Sequence, residues 1–295
     1  VGEEDPIAYE KWVEETLTSS VVEMKIAGAW VSSPLSGTQV ALRKMTFPDM
    51  PLEEVKGAVR YQGKTVFPFV LDNAVIDVCL VGKYSDKEGP KQDVLVGAAI
   101  REEVSRRLNL LNKVNLRPFC LSLVPLALSK IYLLNKNRPP GESVALIDMG
   151  AHTSTIAMVQ KEQVVFSREI GIGGENLTEA LIDLSRLSHP GGMLGYEEAE
   201  GIKRRYGIPL DQLEGEQTEE GILLESIREG FTPIVDRLIM EIDRSFGYFK
   251  TQAENQNIDR IFLSGGGALL KGLSKAIERS FNLPTAHYEF GDALE

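Results

Sequence analysis

The chain has 295 residues, of which 43% are hydrophobic, and its formal net charge is −11. This length and composition are enough to bury the core of one large or two ordinary domains. The negative charge, with no block of Lys or Arg, disfavours binding to nucleic acid or to an anionic membrane surface. The apolar runs are too short to span a bilayer and no signal-peptide pattern opens the chain, so we expect a cytoplasmic globular protein without membrane insertion.

The first 115 residues predict a helix followed by a small α+β module. A helical pattern covers residues 4–19, with Pro6 at its first position. Strand-like runs "MKIAGAWVS" and "TQVALRKMTF" precede an amphipathic helix around "PLEEVKGAVRYQG". Two more strands, "AVIDVCLVG" and "DVLVGAAI", flank "KYSDKEGPKQ", which predicts a polar hairpin loop. A helix over 101–113 completes the module, which we place at residues 36–115.

Cys79 and Cys120 lie within the apolar runs "VIDVCLVG" and "PFCLSLVPLAL". Neither cysteine has the spacing of a redox pair or of a metal site. We therefore predict two buried thiols in a reducing compartment, rather than a disulfide or metal ligands.

The second half predicts an α/β sheet interrupted by helices. "VALIDMG", "TSTIAMVQ" and "QVVFSREIGIG" are typical of strands, and they are separated by tight polar turns such as "KEQ". Residues 175–257 are mostly helical in pattern. The run "RIFLS" then predicts a buried strand, and "LLKGLSKAIERSF" predicts a helix after it.

Two glycine-containing stretches could bind phosphate. In "LIDMGAHTSTIAMV", Asp148 ends a strand, and Gly150 and Thr153 lie in the following turn. Such a turn can face a phosphate while the acid holds hydrated Mg²⁺, but a plain β-hairpin fits equally well. In "EIGIGGENLTEALI", Gly173 and Gly174 precede a helix, whose free N–H groups attract anions. A tight loop capped by Glu175 or Asn176 is the alternative there.

The third stretch, "LSGGGALLKG", places three glycines between a strand and a helix, at 265–267. Glycines at such a junction predict a close approach to the backbone. Between the second and third stretches, "YEEAEGIKRRYG" puts Glu200, Lys203 and Arg204 on neighbouring faces of a helix. These side chains could hold a ribose, an adenine or a phosphate, or they could form a solvated ion pair. The order of the four stretches favours a nucleotide site.

These stretches resemble the actin-like ATPase superfamily and, within it, the PilM family of type IV pilus assembly proteins, relatives of the cell-division protein FtsA. "ALIDMGAHTSTIAMV" is similar to the superfamily's second phosphate motif, "EIGIGGENLTEAL" to a GG-x-x-x-T element, and "DRIFLSGGGALLKGL" to the adenosine motif. "EEAEGIKRRYG" is similar to an E-x-x-K-R helix, and "VALRKMTFPDMPLEEVKGAVRYQGKTVFPFVLD" to part of a 1C-type subdomain. The resemblance runs from about residue 4 to about residue 284.

The resemblance implies an α/β, actin-like (ribonuclease H-like) two-domain fold with a 1C-type α+β subdomain and a helical 2B-type insert. Its four expected parts are a reduced domain I core (1–35 and 116–142), the 1C-like subdomain (36–115), a domain II core (143–185 and 258–295) and the helical 2B-like subdomain (186–257).

The resemblance also implies that the full-length protein binds ATP and Mg. Asp148 would be the catalytic candidate and would order Mg²⁺ through water. The implied nucleotide-binding residues are Gly150, Thr153, Gly173, Gly174, Glu200, Lys203, Arg204, Gly265, Gly266 and Gly267.

Several departures from the family pattern weaken the nucleotide expectation. By the resemblance, the chain begins after the first phosphate motif and ends before a C-terminal helix. Val124 replaces an acid that assists hydrolysis, and His152 replaces a small hydroxyl residue. We therefore expect these 295 residues to bind ATP weakly or not at all.

The function implied is a scaffold of the type IV pilus assembly platform, peripheral to the bacterial inner membrane. Its expected partner is the cytoplasmic tail of an inner-membrane protein similar to PilN, with pilus motor ATPases as further candidates. The alternatives are an active ATPase that drives pilus assembly and an FtsA-like cell-division filament protein. At most a weak ATPase activity is expected.

Overall fold

The structure is a computed structural model that describes residues 6–135, 138–188, 193–210, 215–252 and 257–288. The chain divides into two compact units, Val1–Ala127 and Leu128–Glu295. Within the described ranges, no helix is long and apolar enough to cross a membrane.

The first unit contains two small sheets. Its helices are α1 (Pro6–Glu23), α2 (Leu52–Gln62) and α3 (Arg101–Lys113), and its strands are β1 (Trp30–Leu35), β2 (Val40–Pro48), β3 (Ala74–Asp86), β4 (Gly89–Ile100) and β5 (Arg117–Leu123). Strands β2, β4 and β3 form an antiparallel sheet in that order, whereas β1 and β5 pair in parallel. Both predicted ends of α3 are confirmed. The helix predicted over 4–19 continues to Glu23, and its first two predicted residues lie outside the described ranges.

Helix α2 covers one face of the antiparallel sheet because its apolar residues recur one helical turn apart. Val55 and Val59 are fully buried, and they pack in one cluster with Val94, Val96 and Ala98 of β4. The alternation along β4 is that of a strand with one packed face.

The predicted hairpin loop at 83–92 is too long. Strand β3 continues to Asp86 and β4 begins at Gly89, with Tyr84 opposite Lys91. Ladder pairing uses backbone groups, so polar residues at the exposed end of a hairpin can still form a strand. The predicted strand at 24–32 also starts too early: positive φ at Lys25 and Gly28 marks turns, and β1 begins only at Trp30.

The prediction that both cysteines are buried is wrong, because Cys79 and Cys120 are exposed free thiols. Cys79 lies on β3, where Ile76 and Val78 pack against the core cluster. Successive side chains point to opposite faces of a strand, and Cys79 follows Val78 directly, which places its thiol on the uncovered face. An apolar run can therefore include an exposed position when the strand is covered on one side only.

Helix α4 (Val124–Leu134) leads into the second unit, which contains a five-stranded sheet. The strands of this sheet are β6 (Val144–Met149), β7 (Ser154–Gln160), β8 (Gln163–Ile170), β9 (Arg260–Ser264) and β10 (Thr285–His287). The further helices of the second unit are α5 (Gly174–Ser188), α6 (Tyr196–Tyr206), α7 (Leu224–Gln252) and α8 (Leu273–Phe281). The sheet order is β10-β9-β6-β7-β8, in which β6, β7 and β8 are antiparallel neighbours and β9 is parallel to both β6 and β10. Helices α5, α6 and α7 lie between β8 and β9 in the chain, as an insertion into the sheet.

The helix predicted directly after the third glycine stretch begins later than expected. A short 3₁₀ turn covers Gly267–Leu269, and α8 starts at Leu273. Gly272 interrupts the helical pattern, because its φ is +87° and a Cβ there would lie 2.5 Å from the carbonyl oxygen of Ile208. A left-handed backbone conformation breaks an α-helix.

Candidate functional site

The first and third glycine stretches meet at the carboxyl ends of β6 and β9. Asp148 and Ser264 are register partners on these parallel strands. The Ser264 hydroxyl donates a hydrogen bond to Oδ1 of Asp148 at 2.9 Å. The Asp148 carboxylate is therefore positioned by the neighbouring strand.

The three consecutive glycines have two different roles. A Cβ on Gly265, whose φ is +85°, would lie 2.4 Å from the Met149 carbonyl oxygen, and one on Gly267 would lie 2.9 Å from that of Gly150. At these two positions, the group that approaches the glycine backbone closely is the protein's own backbone at the end of β6 and just after it. A Cβ on Gly266, in contrast, would have no heavy atom within 4 Å. Gly266 therefore offers the open backbone surface of this stretch.

The second glycine stretch packs against the same turn. A Cβ on Gly173 would lie 2.1 Å from the carbonyl oxygen of Ala151. The Gly174 N–H donates to the Gly150 carbonyl at 3.0 Å, and the Glu175 N–H donates to the Ala151 carbonyl at 2.8 Å. The stretches at 148–153, 173–175 and 264–267 thus form one cluster of backbone turns, which we call the glycine cluster.

Several N–H groups expected to face a phosphate already have partners. Gly173 donates to Oδ1 of Asn176 at 2.9 Å, and Gly150 donates to the carbonyl of Thr153 at 2.9 Å. Together with the bonds from the Gly174 and Glu175 N–H groups to the turn after β6, these bonds form a tight loop capped by Asn176. Such a loop was the alternative interpretation of this stretch. A phosphate would need to break these bonds in order to use the same donors.

Helix α6 joins the glycine cluster through Lys203. The Lys203 ammonium lies 2.9 Å from the Gly174 carbonyl oxygen, 2.8 Å from Oγ1 of Thr178 and 2.5 Å from Oε2 of Glu200. Lys203 is only 8% exposed, so this is not a solvated surface pair. Its three N–H protons match its three acceptors. Arg204 is different: its side chain is 78% exposed and meets Glu200 Oε1 at 2.8 Å.

Burial and hydrogen bonding oppose each other at Glu200. Desolvation raises the pKa of its carboxyl. Hydrogen bonds from Lys203, Thr178 and Arg204 lower this pKa by more than desolvation raises it, so the net pKa is below the usual value of 4.5. Hydrogen bonds to the charged form outweigh the cost of its partial burial. Glu200 therefore stays ionised at neutral pH.

Sequence reasoning missed the arrangement of His152, Glu175 and Tyr196. Nδ1 of His152 pairs with Oε2 of Glu175. Tyr196 lies near the same carboxylate: partial burial first, and then the charges of Glu175 and Glu200, raise the pKa of this tyrosine. The sequence offered Glu175 as a possible cap and His152 as a bulky residue, but no signal linked either one to Tyr196.

The residues present fit a nucleoside better than a triphosphate. The open backbone at Gly266, the ionised Glu200 and the exposed Arg204 provide a surface with hydrogen-bonding and charged groups. The turn beside them has its N–H groups satisfied within the protein. Within the described ranges there is also no group of three or more His, Cys, Asp or Glu side chains that could hold a metal ion directly.

Comparison with known proteins identifies relatives of this architecture. A family described as "Type IV pilus assembly protein PilM" matches residues 3–290. A solved structure titled "PilM-PilN type IV pilus biogenesis complex" matches 95% of this chain and 75% of that chain, with a TM-score of 0.76 and 24% identity. A "MamK double helical filament" matches 66% of this chain and 63% of that chain, with a TM-score of 0.52 and 15% identity.

The curated relatives include the cell shape-determining protein MreB of Escherichia coli strain K12, which is 26% identical over 156 residues. That alignment covers 47% of this chain and 44% of MreB. The chain therefore spans less than half the length of the curated relatives that it matches.

The interrupted five-stranded sheet and these fold matches define a protein of the actin-like class, as the resemblance predicted. Within that class, the match over nearly the whole chain shows that the chain belongs to the type IV pilus assembly protein PilM family. The predicted membership is confirmed. The division into four subdomains and the nucleotide-binding roles of individual residues stay predictions.

Proposed function

We propose that this chain is a scaffold of the type IV pilus assembly platform, at the cytoplasmic side of the inner membrane, whose second unit binds a nucleotide. The observation that carries the nucleotide part is the convergence of three separate glycine stretches at one end of the sheet, in a member of the PilM family. The N–H groups already used within the cluster, with Val124 in place of an acid, favour a scaffold over a rapid ATPase.

In this proposal, the residues of the cluster divide into supports and contacts. Lys203 acts as a support, because its ammonium is fully engaged between α5 and α6. Gly266, Glu200 and Arg204 are the proposed contacts for the base, ribose and first phosphate. Asp148 would orient Mg²⁺ through water. When bound, Mg-ATP would supply a phosphoanhydride. Its hydrolysis would change the negative charge of the ligand that lies beside these contacts.

The first unit is the proposed site for a protein partner. The structure matched over 95% of this chain is titled as a complex of PilM with PilN. We extend that to this chain and propose that the 36–115 module and its junction with β1 and β5 bind the cytoplasmic tail of a PilN-like protein. An extended tail could add a strand to a sheet edge through backbone hydrogen bonds, with side-chain pockets giving specificity.

Hydrogen exchange tests the partner proposal without altering the protein. A synthetic peptide with the sequence of the partner's cytoplasmic tail is added, and a scrambled peptide is the control. We expect slower amide exchange within residues 30–123 for the native peptide only. Slower exchange confined to the second unit, or no difference between the two peptides, would contradict the proposed partner site.

Calorimetric titration with adenosine, Mg-ADP and Mg-ATP tests the nucleotide proposal. We expect measurable binding of adenosine. The affinity should rise less from adenosine to Mg-ADP and Mg-ATP than it would at a site with free phosphate-binding N–H groups. The absence of binding by all three ligands would mean that the glycine cluster has a structural role alone.

A further inference from the structure

We propose that Glu175 sets the phosphate selectivity of the candidate nucleotide site, by holding a carboxylate where a phosphate would otherwise lie. The proposal rests on the proposed nucleotide function of the second unit. It identifies one residue that discriminates against nucleoside polyphosphates and that the resemblance did not assign to any role.

Glu175 is held in place by the turn that follows β6. It lies in the first turn of α5, and its own N–H donates to the carbonyl of Ala151. Its carboxylate pairs with His152 in the turn after β6, and Tyr196 at the start of α6 lies close enough for the charge of Glu175 to raise its pKa. The side chain of Glu175 is 25% exposed and that of His152 is 44% exposed. The carboxylate is thus fixed at the rim of the glycine cluster while solvent can still reach it.

Glu175 lies in the first turn of α5, the part of a helix that favours negative charge. The start of a helix carries partial positive charge, and an acidic side chain in the first turn already satisfies it. The imidazole of His152 in the neighbouring turn is also paired with Glu175. A phosphate arriving here meets an occupied anion site instead of free donors.

The neighbouring charges strengthen the discrimination. A second carboxylate, Glu200, lies close enough to raise the pKa of Tyr196 together with Glu175. Of the nearby cations, Lys203 is buried and engaged, and Arg204 is paired with Glu200. Each added phosphate therefore increases the repulsion from Glu175, whereas an uncharged nucleoside is unaffected.

Glu175→Gln tests this proposal, because it removes the charge and keeps the size and hydrogen-bonding capacity of the side chain. Glu179→Gln is the matched control: it removes the same charge one helical turn away, from an exposed position. Affinities for adenosine, Mg-ADP and Mg-ATP are measured by calorimetry. We expect Glu175→Gln to bind Mg-ATP about tenfold more tightly than the original protein, Mg-ADP with a smaller gain, and adenosine unchanged. Equal melting temperatures without ligand exclude a folding defect.

The outcomes separate the two proposals. Adenosine binding with the same Mg-ATP affinity in Glu175→Gln and Glu179→Gln would overturn the role of Glu175 and leave the nucleotide site standing. Weaker Mg-ATP binding by Glu175→Gln would also overturn it, because Glu175 would then assist the metal. If no variant binds any of the three ligands, both the nucleotide function and the selectivity proposal fail.

Discussion

The ammonium of Lys203 lies 2.9 Å from the carbonyl oxygen of Gly174, so that a side chain of α6 holds the first residue of α5. This contact joins two of the segments that the sequence singled out separately. It also explains why a lysine is buried here: each of its protons has an acceptor, and Glu200 balances its charge.

Replacing Lys203 with Met is expected to lower the free energy of unfolding by about 2–4 kcal/mol, because Glu200 loses its closest cation in a partly buried setting. Urea unfolding followed by circular dichroism measures the change. Arg204→Met is the control: it removes a cation from the same carboxylate at a side chain that is 78% exposed. We expect a change of less than about 1 kcal/mol for that variant. Equal losses for both substitutions would contradict the supporting role of Lys203.

Glu200 predicts a specific dependence of stability on pH. Its folded-state pKa lies below 4.5, since hydrogen bonds to the carboxylate outweigh desolvation. A depressed pKa contributes stability above the unfolded-state value, and this contribution is lost as pH falls through the folded-state value. The difference in melting temperature between the original protein and Glu200→Gln should therefore be largest at pH 6–7 and shrink below pH 4.5. A constant difference across that range would mean that Glu200 does not titrate as described.

Gly173 and Gly171 form a matched pair for testing the glycine cluster. Gly173→Ala places a Cβ 2.1 Å from the carbonyl oxygen of Ala151, so backbone must move; we expect a loss of at least about 2 kcal/mol in the free energy of unfolding. Gly171→Ala has no heavy atom within 4 Å and should change it by less than about 0.5 kcal/mol. Denaturant midpoints distinguish the two, and similar midpoints would refute the close approach.

The hairpin turn between β7 and β8 offers a stabilising substitution. Lys161 and Glu162 both have positive φ, at 47° and 66°, a conformation that favours Asn and Gly in two-residue hairpin turns. Lys161→Asn should raise the free energy of unfolding by up to about 1 kcal/mol, because Asn tolerates the left-handed region better. It leaves the pair between Arg138 and Glu162 intact. Thermal unfolding should show a higher midpoint; a lower one would indicate that Lys161 makes a stabilising contact.

The sequence predicted the elements well where local pattern decides structure. Helix α3 has the predicted ends, because its acidic first turn and basic last turn mark both termini. The extension of β3 through Tyr84 was not predicted, since exposed polar residues there pair only because β4 lies beside them. Tertiary pairing overrides local propensity at such positions.

The candidate site shows the same limit. The glycines at 173–174 and 265–267 were recognisable because few other residues fit at tight junctions. Their partners were not, because the bonds from Gly174 to Gly150 and from Lys203 to Gly174 join residues far apart in the chain. Local sequence could name the donors of the site, but it could not show that the protein itself already used them.

Gly266 and Gly267 allow ligand binding to be separated from folding. At Gly266 the backbone is right-handed, with φ −63°, and a Cβ would point into open space, so Gly266→Ala should fold with unchanged or slightly higher stability. If the nucleoside lies against this backbone, the added methyl group should weaken adenosine binding about fivefold or more, which corresponds to roughly 1 kcal/mol. Gly267→Ala should mainly lower stability, because its Cβ would lie 2.7 Å from Met149 Cγ and would destabilise the fold before any effect on adenosine binding. Calorimetry with adenosine, beside melting temperatures for both variants, checks this. Unchanged adenosine affinity in a well-folded Gly266→Ala protein would place the nucleoside elsewhere and remove Gly266 from the site.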